Sequence, residues 1–303
     1  MISAGDPAGI GPEVTIKALA QPAVRALAEL VVTGDPAQLR RTGEALGLPP
    51  PERIEAAGDA SGVVTGRLSA AGGHAAVAAV RRAVELLEAG RAAALVTGPI
   101  NKEALRLAGY PWPGHTELLA DLCGVPEVRM LLVTDHLRVC HVTTHRSLRS
   151  AIDAATRERV LETVRMTAEG GRRLGFERPR IGVAGLNPHA GEGGLFGDEE
   201  IREITPAVAD ARGEGIEVSG PWPADTLFWR AAEGEFDFVV AMYHDQGHVP
   251  VKLSGFDEGV NVTLGLPFLR TSVDHGTAFD IAGRGVARWQ SMAAAIRVAA
   301  LTR

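Results

Sequence analysis

Short apolar runs alternate with amphipathic stretches along most of this chain. ELVVTG (29–34), AALVTGPI (93–100), RMLLVT (129–134), LRVCHVTTH (137–145), RIGVAGLNP (180–188), FDFVVAM (236–242) and VNVTLGLP (260–267) read as buried strands. Between them, apolar positions recur at helical spacing, most clearly over 74–89, 156–174 and 288–301. Strands interleaved with helices predict an α/β fold. The segment PPPERIEAAGDASG (49–62) breaks both patterns and is expected to be a surface excursion. Neither an internal repeat nor a Gly/Ser linker separates two halves, so a division into lobes is expected to be discontinuous, 1–125 plus 255–303 against 126–254.

Composition narrows the functional classes. A chain of 303 residues, 46% hydrophobic and 22% charged, is long enough to bury a sizeable core. Its formal net charge of −6, without a basic block, gives an extended polyanion little to bind, so no nucleic-acid partner is expected. No window approaches the roughly 18 apolar residues of a membrane span, and no basic-plus-apolar leader opens the chain, so a cytoplasmic protein is expected. Cys123 and Cys140 fit neither a zinc ribbon nor a disulfide scaffold. The only lysines are Lys17, Lys102 and Lys252. Lys102 and Lys252 fall in polar motifs, where a compact ammonium differs from a guanidinium, whereas Lys17 reads equally well as a surface residue.

The stretch MYHDQGHVPVK (242–252) places two histidines, a carboxylate, a glycine and a lysine where the run FDFVVAM ends. Polar groups at the end of a buried strand stand at the mouth of an α/β sheet. His145 and His189 also follow strand-like runs, and three imidazoles suffice for a divalent metal with open positions. Asp225 and Asp245 are carboxylates suited to such a metal or to its ligands. His141 and His145, four apart in a β-patterned stretch, would share a face, His141 as a structural residue. In PGHTELLADL (113–122), Thr116 reads as a helix N-cap with His115 before it, a place where backbone amides receive phosphate. Arg270 offers a fork for phosphate or carboxylate. AGDPAGIGPE (4–13) meets neither the dinucleotide nor the P-loop spacing; it is either a tight strand-to-helix turn or a ligand-lining loop. The glycine-punctuated DHGTAFDIAG (274–283) can pass close to a nucleotide.

Taken together, GDPAGIGPE, TGPINK, GHTELLA, TTH, LNPHAGEGG, ADTLF, YHDQGH and RTSVDHGTAFDIAG, in order from residue 5 to about 290, resemble the 4-hydroxythreonine-4-phosphate dehydrogenase (PdxA) family. The resemblance implies a two-lobed α/β/α fold like that of the isocitrate and isopropylmalate dehydrogenases, with the active site in the interlobe cleft. It implies homodimers with active sites at the subunit interface, the first lobe on the cofactor side and the second on the metal and dimerisation side. Carried over residue by residue, it makes His145, His189 and His244 metal ligands, drawn from both subunits. His115, Thr116, Lys252, Asn261 and Arg270 become substrate-binding, and Lys252, Asp225 and Asp245 catalytic. Asp274, His275, Gly276, Thr277 and Asp280 fall on the loop that holds the adenosine part of the cofactor. The implied cofactors are NAD or NADP and one divalent metal, Zn, Mg, Mn or Co.

The implied reaction oxidises the secondary hydroxyl of a 4-phosphorylated hydroxy acid and decarboxylates the β-keto acid. With 4-phosphohydroxy-L-threonine as substrate it belongs to pyridoxine biosynthesis. YHDQGH followed by VPVKL, and HAGEGGLFGDEE, look closer to a sister branch that oxidises 4-phospho-D-threonate or 4-phospho-D-erythronate in sugar-acid catabolism. The cis-dihydrodiol dehydrogenases are a more distant likeness, because GHTE and RTS suit a phosphate. A metal-dependent hydrolase is the alternative of another class, since three histidines and a carboxylate would also activate water. A non-catalytic binding module has no use for the intact Lys252, Asp225 and histidines. The chain opens almost at the glycine loop, so either a clipped first strand or a misplaced start codon is expected.

Overall fold

The computed structural model describes residues 1–255, 259–273 and 275–301; Asp274 of the expected cofactor loop lies outside them. The described strands are β1 (Ile2–Ser3), β2 (Val32–Gly34), β3 (Ile54–Ala56), β4 (Ala94–Thr97), β5 (Arg129–Val133), β6 (Arg138–His141), β7 (Ile181–Ala184), β8 (Val218–Trp222), β9 (Phe238–Ala241), β10 (Val260–Leu264) and β11 (Leu269–Ser272). The chain forms two compact units, Met1–Val128 with the segment from Leu266 onward, and Arg129–Gly265. β10, and Asn261 with it, belongs to the second.

In the first unit the strand order is β3-β2-β1-β4-β11, and every pairing is parallel. Parallel neighbours require crossovers, here the helices Gly11–Leu19, Pro36–Leu46 and Ala70–Glu88. Their ends are set locally. Asp35 caps the second by accepting from the amides of Ala37 and Gln38 at 2.8 and 3.0 Å, Pro36 fills its first turn, and Gly47 closes it at φ 64°. The chain reverses its winding between β1 and β4, the position where α/β sheets receive ligands. The loops after these strands meet there: Asp6 N donates to Pro99 O at 2.9 Å. Gly5, at φ 79°, is required, because a Cβ on it would lie 2.4 Å from Pro99 O. Val77, Val80, Leu95, Leu105, Leu118 and Phe268 are among the residues of this unit's core.

In the second unit the order is β10-β5-β6-β9-β7-β8. β10–β5 and β5–β6 are antiparallel, whereas β6–β9, β9–β7 and β7–β8 are parallel. The last four strands therefore end along one edge. Thr156 caps the helix Arg157–Arg173, and Leu132, Val139, Val239, Leu227 and Phe236 pack in the core.

Several expectations are corrected. The excursion over 49–62 contains β3, an edge strand paired in parallel with β2, whose polar residues concealed it. HVTTH is not one strand: β6 stops at His141, and the chain then follows the exit of β9. Val142 N donates to Ala241 O, and the Thr143 hydroxyl to Met242 O, each at 2.8 Å. Strand alternation therefore does not fix how His145 lies relative to His141. Thr116 is not the N-cap; the helix His115–Leu122 begins two residues earlier than that cap requires, capped by the extended backbone of Gly114. Lys17 is no idle surface residue, since its ammonium donates to Glu13 and to the carbonyls of Gly285 and Ala287 at 2.7–2.9 Å.

Candidate active site

The parallel edge of the second unit gathers most of the residues expected to hold a metal. From β6 the chain runs to His145, from β9 to His244, from β7 to His189 and from β8 to Asp225. His145 and His244 come together, with ring centroids 5.7 Å apart, and with Asp245 they line a cavity of about 440 Å³. His244 is the first residue of the helix His244–Ser254. Its Nδ1 lies 2.7 Å from Asp245 Oδ1. With the Nδ1 proton donated to that carboxylate, the Nε2 lone pair is left for a cation, a common arrangement at metal centres. Gln246 ties two exits together, accepting from Met242 N and donating to Gly185 O, both at 2.7 Å.

His189 is held differently. Residues 189–193 all have left-handed backbone, His189, Ala190 and Glu192 included, at φ between 45° and 79°. Such conformations cost L-residues about 1–2 kcal/mol each, so something must hold the turn. Glu200, 3% exposed, holds its entry: its carboxylate accepts from the amides of Leu186 and Asn187, each at 2.7 Å, and from Asn187 Nδ2 at 2.9 Å. His189 is exposed and does not line the cavity shared by His145 and His244. Among the described residues of one chain, no three His, Cys, Asp or Glu side chains close around a single cation position.

Asp225 is exposed in the first turn of the helix Ala224–Ala232. Lys252 sits eight residues beyond His244 on the same helix, about 12 Å along its axis at 1.5 Å per residue. Asn261, half-buried on β10, pairs with Leu132, which in turn pairs with Val139 near the start of β6. Lys252 is thus two turns from His244 along the helix, and Asn261 lies two strands from β6.

In the first unit, Arg270 lies on β11, parallel to β4, and is 3% exposed. Its Nε and Nη2 donate to the Thr97 hydroxyl at 3.1 and 2.6 Å. Burial pulls this guanidinium down to about 10, which still leaves it charged at neutral pH. His115 is pushed well below its ordinary value by burial and then by the charge of Arg270, so it is neutral. Its Nε2 is shielded from solvent and has no hydrogen-bond partner. A buried cation, a partnerless imidazole nitrogen and the open amides of the first helical turn, Thr116 among them, form a group suited to an anion.

The loop expected for the cofactor packs on the glycine loop: Ile10 N donates to Thr277 O at 2.9 Å, and a Cβ on Gly9 would lie 2.8 Å from Thr277. Thr277 is buried, while Gly276 and Asp280 are exposed; His275 is half-buried, with a shielded, partnerless Nε2. Just beyond, Gly283, Arg284 and Gly285 join Gly9, Pro12, Gln38 and Arg41 around a cavity of about 510 Å³. The glycine loop is thus both a tight turn and a cavity lining. Sequence reasoning missed Glu200 and Gln246, whose partners are remote in the chain, and gave His248 no role although it stood in the motif.

Two α/β units with imidazoles at parallel-strand exits and a buried arginine define the class. Residues 17–299 match the family described as pyridoxal phosphate biosynthetic protein PdxA, and the chain belongs to it. The D-threonate 4-phosphate dehydrogenase of Salmonella typhimurium is 49% identical, over 98% of this chain and 97% of that protein. The 4-hydroxythreonine-4-phosphate dehydrogenase of Beijerinckia indica is 50% identical, over 96% of this chain and 91% of that one. The crystal structure of a 4-hydroxythreonine-4-phosphate dehydrogenase from Klebsiella pneumoniae superimposes with a TM-score of 0.90 at 48% identity, covering 98% of this chain and 97% of that one. The family and the mixed α/β fold expected from the sequence are those found, and both curated relatives are named as dehydrogenases. No helix among the described residues is long and apolar enough to cross a membrane.

Proposed function

We propose that the chain is a divalent-metal- and NAD(P)-dependent dehydrogenase that oxidises and decarboxylates a 4-phosphorylated hydroxy acid, acting as a homodimer. The observation that carries the reading is the pair His145–His244, with Asp245 on the far nitrogen of His244, at the edge where His189 and Asp225 also emerge. The donor set fits a divalent cation, and His189 completes the ligands. When bound, that cation would supply Lewis-acid charge at the substrate hydroxyl, and a nicotinamide cofactor would supply the hydride acceptor.

The chain's own groups do the rest. Arg270, neutral His115 and the amides near Thr116 hold the phosphate. Asp245 keeps His244 in the tautomer that presents Nε2 outward. Asp225, which emerges at the same strand edge, supplies a further carboxylate. Lys252 and Asn261 hold the anionic substrate, and a second copy of the chain completes the site. The loop His275–Asp280 and the adjoining cavity take the adenosine end of the cofactor.

Among substrates, 4-phosphohydroxy-L-threonine is the main reading. A second reading, 4-phospho-D-threonate or 4-phospho-D-erythronate, is favoured by the HDQGH segment and by the Salmonella relative's name. A spectrophotometric panel of the three acids, with either nicotinamide and with Zn, Mg, Mn or Co, tests the proposal. Cofactor reduction with at least one acid, abolished by a chelator, is expected. No reduction with any of them, together with no thermal shift on adding NAD or NADP, would return the site to the hydrolase reading.

A further inference from the structure

His248, in MYHDQGHVPVK, is built into the structure around His244 and has no role in the reading above. One turn after His244, it lays its ring against that of His244, with centroids 3.6 Å apart and planes within 11°. Its Nδ1 lies 3.1 Å from His141 Nε2 and 3.1 Å from the carbonyl oxygen of His244. A carbonyl only accepts, so the proton at this three-way contact belongs on His248 Nδ1, shared between the carbonyl and His141 Nε2. His141 is fixed in turn: it is the last residue of β6 and 1% exposed. The contact admits no side chain between the helix and this ring, because a Cβ on Gly247 would stand 2.3 Å from His141 Nε2. The glycine of the motif lets the helix approach His141.

The His244 side chain is 37% exposed, so general packing does not hold it. Asp245 fixes it at Nδ1, which constrains one edge; the ring could still swing about that contact. The face of the ring has His248 behind it, and the plane of His248 is tied to a strand residue. We propose that His248, braced by His141, is a positioning residue that sets the ring plane of His244 for a divalent cation. This rests on the reading of His244 as a metal ligand. The brace acts through orientation: removing it leaves the ligand present but spread over several directions, and a ligand's orienting partner is worth about 10–100-fold in metal affinity.

The test uses the full chain with Co²⁺ as probe, reading affinity by competition with a chromophoric chelator and coordination by the visible spectrum. His244→Ala should abolish Co²⁺ binding. His248→Ala should weaken it about 10–100-fold and change the visible bands. His248→Phe, which keeps the stacked face but cannot reach His141, should fall between the parent and His248→Ala, and it serves as the second variant should the alanine protein fold poorly. Thermal unfolding followed in parallel separates a lost brace from a lost fold. Loss of binding in His244→Ala with parent-like affinity and spectrum in His248→Ala would overturn the brace and leave the metal reading standing. Parent-like binding in His244→Ala would overturn both.

Discussion

His244 and His189 both stand just past the ends of neighbouring parallel strands, β9 and β7, yet the backbone reaches them in opposite ways. His244 opens an ordinary helix, and its ring is set by groups one and four residues away, Asp245 and His248. His189 opens a left-handed turn whose three non-glycine residues together cost several kcal/mol at about 1–2 each. Glu200, eleven residues on, accepts three hydrogen bonds, and at about 1.5–3 kcal/mol each for a charged acceptor these offset the strain. The contrast teaches that one chemical role can be served by a local device or by a remote clamp. Only the second makes the position of the imidazole depend on the folding of a whole loop.

The largest expected effect tests whether the two histidines share a role at all. His244→Ala and His189→Ala should each lower kcat/KM on the phosphorylated acid by at least about 10²–10³-fold, since each would delete a proposed ligand rather than a partner of one. Metal content of the purified variants, measured by elemental analysis, should fall in both. A His189→Ala protein that keeps its metal and its rate would separate the two sites and leave the strained turn with a structural role alone.

The same contrast explains what was legible in the sequence. The strand runs ending near His145, His189 and His244 could be read because buried parallel strands are uninterrupted apolar segments. The helix Arg157–Arg173 could be read because a capping threonine precedes a clean amphipathic period. The segment HAGEGG could be read as too glycine-rich and polar for the core, but nothing local announces positive φ at His189, Ala190 and Glu192, which follow the two residues held by Glu200. β11 was hidden for a related reason: Arg270 and Thr271 are polar yet wholly buried, and only their partners, Thr97 and the Ala295 carbonyl, account for that. The His141–His248 contact joins residues 107 apart, so HDQGH displayed the residue without its role.

A smaller effect separates the His244 side from the His189 side by pH. Burial, followed by the neighbouring His248, holds His141 down to about 3. Its folded value is thus below the unfolded value near 6.5, and the unfolded chain binds the extra proton. Its contribution is fully present above pH 6.5 and is lost as pH falls toward 3. At pH 5 the loss from this one residue is about 2 kcal/mol relative to pH 7.5. His115, depressed by burial and Arg270, adds to it with the same sign. Urea midpoints at the two pH values should therefore differ, and His141→Phe should remove its share of the slope. A parent protein equally stable at both would contradict the burial of these imidazoles.

The smallest effect is one of sign. Glu192 has an exposed side chain and φ 45°, so Glu192→Gly removes a strained backbone and no buried contact. Relief of about 1–2 kcal/mol, less the roughly 0.5–1 kcal/mol entropic cost of glycine, leaves a net gain of about 0.5–1 kcal/mol. Asp245 is equally exposed but lies in the first turn of a regular helix. There the same substitution carries the full cost of glycine, about 1 kcal/mol, and also severs the contact to His244 Nδ1. Thermal unfolding should show the two variants moving in opposite directions, each by about 1–2 °C for a chain of this size. Destabilisation by both would mean that the turn carrying His189 stores no strain, and that Glu200 secures a conformation the chain already prefers.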